Sequence, residues 1–489
     1  MDKSYRFLAF DLGAESGRAV YGVLEEGRMN LEVVHRFRTE GLMMLGVRQW
    51  DVARIYEELC EGLAQCVRLH GPDLDGIGVD TWGVDFGLLD KTGMVLANPR
   101  HYRDKANEGM QDEAFRLVPR ADLYKATGIQ FLPFNSVYQL LSYKKAQSPV
   151  LDIASSLLLM GDLFGYLLSG VQACEYTNAS TTQMLNPYTR QWDHGLLEKL
   201  GLPAGLLLDP VAPGTILGPV REEICAQTGL RAGVPVIAPG THDTASAVAA
   251  VPVSADEGAW AYLSSGTWSL LGAELDEPHI SEASLEQDFT NEGGVGGKIR
   301  FLKNIFGLWL VQECRRAWER EDGDTVDYGV MTAEAEKEVP FRSLINLDDE
   351  RLIAPDDMPA LIQSMCREGG YPVPETRGAI IRCALESLAL KYRMTLRNLD
   401  RLLDRKTTCL HIIGGGVQNR LLCQMTADAC GIPVVAGPIE ATALGNLGVQ
   451  AMAVGALSGL EALRAVVGRS VELERYDPRH TEAWDRLDC

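Results

Sequence analysis

Short apolar runs and longer stretches with helical spacing alternate along the chain. Near the N-terminus, "YRFLAFDL", "RAVYGVLE" and "MNLEVVHRF" are three closely spaced strand candidates, and a glycine-containing turn joins the first two. The next segment, "DVARIYEELCEGLAQCVRLHG", repeats its apolar residues at helical intervals. We predict three strands followed by a helix whose apolar face comprises Val52, Ile55, Leu59, Leu63 and Cys66.

The remainder of the first half mixes strands, helices and loops. "DGIGVDTWGVDFGLLD" is typical of a strand region, and a mainly helical stretch runs from about residue 105 to about 230. Within that stretch, "ASSLLLMGDLFGYLLSG" contains Asp162 and is short for a membrane span, so it predicts a core helix. "VPVIAPG" predicts a further strand, and "HDTASAVAAV" predicts the helix that follows it.

The same order of elements then starts again. "GAWAYLSSGTWSLLGAEL", from Gly258, predicts strand, turn and strand, and "CLHIIGG" and "IPVVAG" are later strands that each precede a helix. A long helix before "CLHIIGG" carries a continuous apolar stripe of Ile381, Leu385, Leu388, Tyr392, Leu396, Leu399 and Leu403. We therefore predict an α/β protein of two related domains, residues 1–250 and 251–489, each a sheet flanked by helices.

Composition narrows the possible partners. The 489 residues carry a formal net charge of −21 without a basic stripe, so nucleic acid and acidic membrane surfaces are poor candidates. The first strand begins almost at once, which leaves no room for a signal peptide and indicates a cytoplasmic protein.

Cysteine and histidine spacing does not suggest a metal centre. The 11 cysteines form no CxxC pair and the 8 histidines form no HExxH motif, so neither a zinc site nor a secreted disulfide framework is expected. Cys366 and Cys383 could meet across two adjacent helices, and whether they bond is left open.

Glycine-rich turns suggest a phosphate site only in combination. "GGVGGK" is not a Walker A loop, because Ile299 follows Lys298 and position 292 is Glu. No GxGxxG follows the first strand, which leaves a Rossmann site without support. The turns "DLGAESGR", "SSGTW" and "GGGVQN" are the three parts that a nucleotide held between two domains would need, although each alone is typical of an ordinary turn.

The first of these turns offers groups that suit a nucleotide. Gly13 and Gly17 would let phosphate approach the backbone, Ser16 adds a hydroxyl donor and Arg18 adds positive charge. Asp11, at the end of a buried strand, can hold the water shell of Mg²⁺. A plain hairpin turn remains the alternative.

Asp243 lies where a predicted strand passes into a predicted helix. It is either a charge at the helix N-terminus or a catalytic base at the mouth of a cleft. Because the free N–H groups of a first helical turn favour a carboxylate, we expect Asp243 to be deprotonated at neutral pH. Trp82 either forms a wall of a sugar site or belongs to the core.

Several strings together resemble the FGGY family of sugar kinases. They are "DLGAESGR", "DTWGVDF", "GIQFLPFN", "YTNASTTQ", "HDTASAV", "LSSGTWS", "LKNIFGLWL", "HIIGGGVQN" and "GPIEATALGN", and they span nearly the whole chain in order. The resemblance implies two ribonuclease-H-like domains of the actin/hexokinase type, with the active site in the cleft between them. It also implies ATP-dependent phosphorylation of L-rhamnulose at O1 with Mg²⁺.

The resemblance also assigns site residues. Asp243 matches the family's catalytic base, and the sugar contacts are Gly83, His242, Thr244 and, with less support, Asn304. The ATP contacts are Gly13, Ala14, Glu15, Ser16, Gly17, Thr267, Gln312 and Gly415, and Asp11 is the expected metal ligand. The family usually has a small residue where Glu15 sits, so we expect Glu15 to point outward or Arg18 to neutralise it.

Other functions remain open at this point. A related kinase would act on fuculose, xylulose or glycerol, since a few hydroxyl contacts decide the sugar. The same scaffold also serves chaperones, filaments and sugar-sensing regulators, but a regulator needs a basic DNA-binding appendage that neither terminus offers. The expected partners are a small sugar and ATP, and the expected state is a monomer or small homo-oligomer.

Overall fold

The computed structural model describes residues 4–254, 257–323 and 325–487 of the chain. These residues form two mixed β-sheets, four two-stranded sheets and the helices that pack on them. None of the helices in this described part combines the length and the apolar character needed to cross a lipid bilayer.

Strands follow one another closely between residues 5 and 49 and again between residues 260 and 306. In chain order they are β1 (Tyr5–Leu12), β2 (Ser16–Glu25), β3 (Arg28–Arg38), β4 (Leu42–Met44), β5 (Val47–Gln49), β6 (Gly76–Thr81), β7 (Phe86–Leu89), β8 (Ser156–Leu159), β9 (Cys174–Glu175), β10 (Leu185–Asn186), β11 (Gln191–Trp192), β12 (Pro210–Val211), β13 (Thr215–Pro219), β14 (Pro235–Ala238), β15 (Trp260–Ser265), β16 (Trp268–Leu275), β17 (Thr290–Gly293), β18 (Ile299–Phe306), β19 (Cys409–Ile413), β20 (Val434–Ala436) and β21 (Glu474–Tyr476).

The helices occupy the intervals between these strands. In chain order they are α1 (Val52–His70), α2 (Met110–Leu117), α3 (Arg120–Thr127), α4 (Ser136–Lys145), α5 (Pro149–Ile153), α6 (Met160–Ser169), α7 (Tyr176–Ala179), α8 (His194–Leu200), α9 (Glu222–Thr228), α10 (Asp243–Ala249), α11 (Glu282–Glu286), α12 (Trp309–Asp322), α13 (Tyr328–Glu336), α14 (Met358–Glu368), α15 (Arg377–Leu402), α16 (Arg420–Cys430), α17 (Ala441–Ala453), α18 (Leu460–Ser470) and α19 (Thr481–Asp485).

The first sheet has the strand order β13–β14–β6–β1–β2–β3. β1 pairs antiparallel with β2 and parallel with β6, and β6 pairs parallel with β14. The last six residues of β1 are buried, as expected for a central strand. These strands and α1, which buries all five of the predicted apolar residues, confirm the elements predicted for the N-terminal region.

The second sheet has the strand order β17–β18–β16–β15–β19–β20–β21. From β16 to β21 the successive pairings are antiparallel, parallel, parallel and antiparallel. The first sheet shows the same succession from β2 through β1, β6 and β14 to β13. This repeated pairing confirms the prediction of two related α/β sheets.

One predicted helix is wrong in its first turn. The residues predicted as a single helix from Ala154 form strand β8 followed by α6. β8 pairs antiparallel with β7, so Leu157, Leu158 and Leu159 are buried as strand residues. The prediction of a helix over these residues was wrong because an uninterrupted apolar run does not distinguish a buried strand from a buried helix.

Two of the cysteines meet as the sequence suggested. Cys366 on α14 and Cys383 on α15 are both buried, and their Sγ atoms lie 3.7 Å apart as free thiols. The predicted apolar stripe of α15 is buried from Ile381 to Leu399.

The chain divides into two compact units that are not continuous in sequence. The first unit comprises the described residues of Met1–Ala255 together with Glu274–Phe301 and Ala441–Ser470. The second unit comprises the described residues of Asp256–Ala273 together with Leu302–Glu440 and Val471–Cys489.

Within the first unit, α17 packs closely against α10, β1 and β6. A Cβ atom on Gly445 would lie 1.7 Å from the backbone oxygen of Ser246, so α10 can approach only a glycine there. On the same helix, Gln450 donates to the carbonyl oxygen of Leu8 at 3.1 Å and to Asn446 Oδ1 at 2.7 Å. This close contact fixes the start of α10 relative to the central strands.

We predict that Gly445→Ala destabilises the protein by about 1–3 kcal/mol, because the added methyl group must push α10 and α17 apart. The matched control is Gly468→Ala in α18, where the nearest atom to a new Cβ is 3.8 Å away. That change should stabilise by up to about 1 kcal/mol, as expected for replacing an exposed helical glycine. Thermal denaturation of both variants measures the difference, and a Gly445→Ala variant that melts at or above the parent would contradict the packing argument.

Candidate active site

Three carboxylates converge at one edge of the first sheet. Asp11 lies near the end of β1 and is the register partner of Asp80 on the parallel strand β6. Asp243 is the first residue of α10, and a bridge between Thr81 and His242 holds that helix start beside the end of β6. Parallel neighbours end at the same edge of a sheet, so the chain topology itself brings these carboxylates together.

Burial and neighbouring carboxylates disfavour the ionisation of Asp80 and Asp243. Burial raises the pKa of Asp80 well above its usual range, and the charges of Asp11 and Asp243 raise it further. Burial, followed by the charge of Asp11, also raises the pKa of Asp243 to about 7. The expectation that Asp243 is fully deprotonated at neutral pH is therefore wrong, because burial and like charge outweigh the helix N-terminus.

The carboxylate cluster fits a divalent cation. Asp80 Oδ2 accepts a hydrogen bond of 2.6 Å from Asn446, whereas Asp80 Oδ1 is buried and has no hydrogen-bond partner among the described residues. A hard cation such as Mg²⁺ prefers carboxylate oxygens and would offset the mutual repulsion. Asp11, the predicted ligand, also accepts a hydrogen bond of 2.5 Å from Arg18. The residues present therefore suit Mg²⁺, and Asp80 is a candidate ligand that the sequence did not suggest.

Asp243 is held in place but stays accessible. Its Oδ1 accepts hydrogen bonds from the backbone N–H of Thr244 at 2.5 Å and from the Thr244 hydroxyl at 3.2 Å. The side chain of Asp243 keeps 32% of its surface exposed, so a ligand can reach the carboxylate. This arrangement suits a group that exchanges a proton with a bound molecule.

His242 presents a hydrogen-bond donor beside Asp243. Its Nδ1 lies 3.0 Å from Nη2 of Arg300, and its Nε2 lies 3.4 Å from Oδ1 of Asp243. Arginine can only donate, so Nδ1 accepts and the proton of the neutral imidazole is on Nε2. Burial and the charge of Arg300 hold the pKa of His242 well below its usual range, so the ring is neutral.

Arg300 positions His242 from a completely buried site. Its Nε donates to the carbonyl oxygen of Gly293 at 2.8 Å, and its Nη2 forms an ion pair with Glu292 at 3.1 Å. Together with the bond to His242, these contacts hold the guanidinium through its Nε and Nη2 atoms. Neither residue was predicted to belong to the site: Glu292 served only to reject a Walker loop, and Arg300 had no predicted role.

A buried glutamate supports the segment that carries His242 and Asp243. Glu175 Oε2 accepts hydrogen bonds of 2.9 Å from both the backbone N–H and the hydroxyl of Thr241. Its Oε1 accepts a bond of 2.8 Å from the backbone N–H of Thr177, and Asn178 donates to the carbonyl oxygen of Thr241 at 3.3 Å. Residues 175–178 thus hold Thr241, the residue that directly precedes the string "HDTASAV".

Gly83 lies against His242, whereas Trp82 belongs to the core. A Cβ atom on Gly83 would lie 3.4 Å from His242 Nε2, so the glycine leaves room beside that donor. The Trp82 ring packs on Trp50 with centroids 3.9 Å apart, and its Nε1 donates to Asp85 at 3.1 Å. Of the two alternatives for Trp82, the structure supports the core residue.

The first glycine hairpin lies between β1 and β2. The backbone N–H of Gly13 donates to the carbonyl oxygen of Ser16 at 2.9 Å, so this N–H closes the turn. A Cβ atom on Gly17 would lie 2.5 Å from the ring of Phe37, which means that packing alone requires glycine there. Arg18 pairs with Asp11, and a phosphate role for residues 13–17 stays a prediction.

Thr267 and Gln312 lie close together in the second unit. Thr267 is in the turn between β15 and β16, and its carbonyl oxygen accepts hydrogen bonds of 3.2 Å from Gly307 and Trp309. These contacts hold the turn against the start of α12, which carries Gln312. The Gln312 side-chain oxygen is buried and has no hydrogen-bond partner in the described residues.

Gly415 and Asn304 complete the predicted set in this unit. Gly415 begins a 3₁₀ turn that follows β19, and a Cβ atom there would meet nothing within 4 Å. The adjacent Gly416 instead lies against Ser265 at the end of β15, where a Cβ would be 2.6 Å from the Ser265 Cβ. Asn304 lies near the end of β18. The open side of Gly415 leaves space for a flat ligand.

The site residues that were not predicted differ in how far the sequence could have indicated them. Asp80 ends a buried strand within a string that was already singled out, so its position gave a usable signal. Glu175, Arg300 and Asn446 gave none, because their partners Thr241, His242 and Asp80 are far away along the chain. Glu292 gave none because it reaches the site only through Arg300.

Comparison with known proteins places both halves of the chain in one family. Residues 6–250 match the N-terminal domain of the FGGY family of carbohydrate kinases, and residues 261–454 match its C-terminal domain. Proteins named rhamnulokinase are similar over nearly their whole length. The protein from Bacteroides thetaiotaomicron is 46% identical, with 98% of this chain and 97% of that protein covered. For the protein from Oceanobacillus iheyensis the identity is 38%, with 96% and 97% covered.

Solved structures share the fold at much lower identity. A xylulose kinase from Lactobacillus acidophilus gives a TM-score of 0.79 at 15% identity, with 99% of this chain and 96% of that chain covered. A glycerol kinase from Plasmodium falciparum, crystallised with ADP, gives a TM-score of 0.75 at 17% identity with the same coverage. These similarities concern the fold.

We predict that Asp243→Asn, without ligands, stabilises the protein by about 1–3 kcal/mol at about pH 8 and by clearly less at about pH 5, where only part of the window between the two pKa values has been crossed. Folding raises the Asp243 pKa from 3.8 to about 7, so the parent loses stability as pH rises through that window and the carboxylate ionises. Asparagine stays neutral throughout. Thermal denaturation at the two pH values measures the difference.

The control is Asp122→Asn, which removes an exposed carboxylate from the first turn of α3. It should shift the melting temperature little at either pH. Equal melting temperatures for the parent and Asp243→Asn at about pH 8 would show that the neighbours of Asp243 do not perturb it.

Proposed function

The chain belongs to the FGGY family of carbohydrate kinases, and from this premise we propose that it transfers the γ-phosphoryl group of ATP to O1 of L-rhamnulose. The products are L-rhamnulose 1-phosphate and ADP, which assigns the enzyme to L-rhamnose degradation. The observation that carries the proposal is the identity of 38–46% to rhamnulokinases over at least 96% of the chain.

Asp243 is the proposed general base. A sugar hydroxyl is a weak nucleophile, and the exposed carboxylate can take the O1 proton as the bond from O1 to the γ-phosphorus forms. The bond between that phosphorus and the β–γ bridging oxygen breaks at the same time, and ADP leaves with the electron pair. The raised pKa of Asp243, about 7, suits this task because a base near the working pH both accepts and releases a proton readily.

The sugar contacts that we propose surround that carboxylate. His242 is neutral, and its Nε2–H can donate to a sugar oxygen because Arg300 occupies Nδ1. Thr244 fixes the orientation of Asp243, and Gly83 leaves room beside the imidazole. Asn304 is the proposed sugar contact from the second unit.

The proposed ATP contacts are the hairpin residues Gly13, Ala14, Glu15, Ser16 and Gly17 together with Thr267, Gln312 and Gly415. The unpartnered side-chain oxygen of Gln312 and the open side of Gly415 support their assignment to the nucleotide. Asp11 and Asp80 are the proposed residues for Mg²⁺, which when bound neutralises phosphate charge. We also propose a cytoplasmic location, where ATP is available, and a monomer or small homo-oligomer.

The alternative within the family is a kinase of another ketose or polyol, such as fuculose, xylulose or glycerol. Solved structures of xylulose and glycerol kinases share this fold, so the fold does not decide the sugar. Sequence identity favours L-rhamnulose.

The test is a coupled ADP-release assay with L-rhamnulose, L-fuculose, D-xylulose and glycerol. We expect the highest kcat/KM with L-rhamnulose and product phosphorylated at O1. Asp243→Asn should lower kcat by about 10²–10⁴-fold while the affinity for ATP changes little, because only proton transfer is lost.

Asp122→Asn serves as the control and should keep the parent rate. A higher kcat/KM with any other compound would overturn the L-rhamnulose assignment. Parental turnover by Asp243→Asn would overturn its role as the base.

A further inference from the structure

Three potential metal ligands meet at the amino-terminal ends of two neighbouring strands in the second unit. Cys409 and His411 are two residues apart on β19, so both side chains lie on the same face of the sheet. β19 runs parallel to β15, with Trp260 opposite Cys409 in the register. Glu257 lies three residues before the start of β15, at the same end of both strands.

The ligand atoms of these residues are close to one another. One donor atom from each of Glu257, Cys409 and His411 can be chosen so that all three lie within 4.8 Å of one another. His411 Nε2 is 2.6 Å from Glu257 Oε1 and 3.9 Å from Cys409 Sγ. Cys409 and His411 are almost wholly enclosed, whereas the Glu257 side chain keeps 24% of its surface exposed. An ion can therefore enter past Glu257.

We propose that Glu257, Cys409 and His411 bind one Zn²⁺ ion or a transition-metal ion of similar preference. Thiolate, imidazole and carboxylate together are a donor set that zinc accepts and that magnesium or calcium does not favour. Water completes a tetrahedral shell on the exposed side of Glu257. The thiolate and the carboxylate offset the two charges of the ion.

The distances need only a small adjustment to accept an ion. Tetrahedral zinc bonds of about 2.0–2.3 Å place sulfur and nitrogen ligands about 3.5 Å apart and nitrogen and oxygen ligands about 3.3 Å apart. The sulfur of Cys409 is already near that distance from His411. Glu257 must move away from His411 by about 0.7 Å, which is feasible because its side chain is partly exposed and precedes the strand.

Metal binding must displace protons from the site. Burial and the neighbouring Glu257 raise the pKa of the Cys409 thiol to about 12, so the metal-free site holds a thiol. On binding, Cys409 loses its thiol proton and His411 uses the lone pair of Nε2, with its remaining proton on Nδ1. The affinity should therefore rise with pH.

Two features of the structure oppose binding. Arg475 also acts electrostatically on Cys409, although it pairs with Asp477 at 2.9 Å. His411 Nδ1 has no hydrogen-bond partner in the described residues, and ligating histidines usually have one. Both features lower the affinity without removing a ligand.

The site is separate from the proposed phosphoryl transfer. It lies at the amino ends of β15 and β19, whereas Thr267 and Gly415 follow the carboxyl ends of the same strands. The five or six residues of each strand correspond to about 15–20 Å. The ion would join the two strands and stabilise the second unit. No metal site was expected from the sequence because it has neither a CxxC pair nor an HExxH motif; this cluster instead combines a Cys-x-His on a strand with a glutamate 152 residues before Cys409.

The experiment titrates Co²⁺, a spectroscopic substitute for Zn²⁺, into the full-length chain after removal of metals with a chelator. We expect one equivalent to produce the near-ultraviolet charge-transfer absorption of a cobalt–thiolate bond. Zn²⁺ should abolish that absorption by competition and should raise the melting temperature. The absence of a thiolate band in the parent would overturn the proposal.

The variants separate ligation from structure. Cys409→Ser should lose the charge-transfer band, and Cys430→Ser, which removes a thiol of the same unit outside the cluster, should keep it. Glu257→Gln keeps a hydrogen-bond acceptor for His411 but should weaken metal affinity at least about tenfold, with little change in the metal-free melting temperature. A band that persists in Cys409→Ser, or parental affinity in Glu257→Gln, would overturn the proposal. None of these readouts depends on kinase activity.

Discussion

The convergence of three carboxylates, which raises the pKa values of Asp80 and Asp243, is the constraint on which the candidate active site depends. The register of β1 and β6 places the first two opposite each other, and the start of α10 adds the third. A fold that only needed stability would not bury carboxylates beside one another, because each raises the cost of ionising the next. A bound cation and a proton taken from the substrate would add positive charge beside these carboxylates.

The surrounding structure holds the cluster together against that repulsion. Glycine at position 445 lets α10 and α17 approach closely, and α17 supplies Asn446 as a hydrogen-bond donor to Asp80. On the other side, burial and the charge of Arg300 keep His242 neutral, and Arg300, which pairs with Glu292, orients the imidazole beside Asp243. Packing and hydrogen bonding therefore determine both the protonation and the direction of the reactive groups.

The sequence predicted most of the secondary-structure elements well, including the passage from strand β14 to helix α10 at which Asp243 lies. Period-two and helical patterns located β1, β2, β3, α1 and α15, because each of these elements buries one face or one stripe. The same patterns did not distinguish strand β8 from a helix, because its leucines are buried on all sides.

The contacts that determine chemistry were mostly not predictable. Arg300 and His242 are 58 residues apart, and Asn446 and Asp80 are 366 residues apart, so no local pattern links them. The protonation of Asp243 was predicted wrongly for the same reason. The helix N-terminus is visible in the sequence, whereas burial and the charge of Asp11 are properties of the folded chain.

The pH dependence of kcat/KM for the sugar tests the central claim most directly, because it reports the ionisation of the free enzyme's base. The measurement uses subsaturating MgATP and compares the parent with Asp122→Asn. The structure predicts that kcat/KM falls as pH drops below about 7, the pKa of Asp243, in both proteins. A kcat/KM that stays constant down to about pH 5 would contradict the account, since it would mean either that Asp243 is not the base or that Asp11 and burial do not control its ionisation.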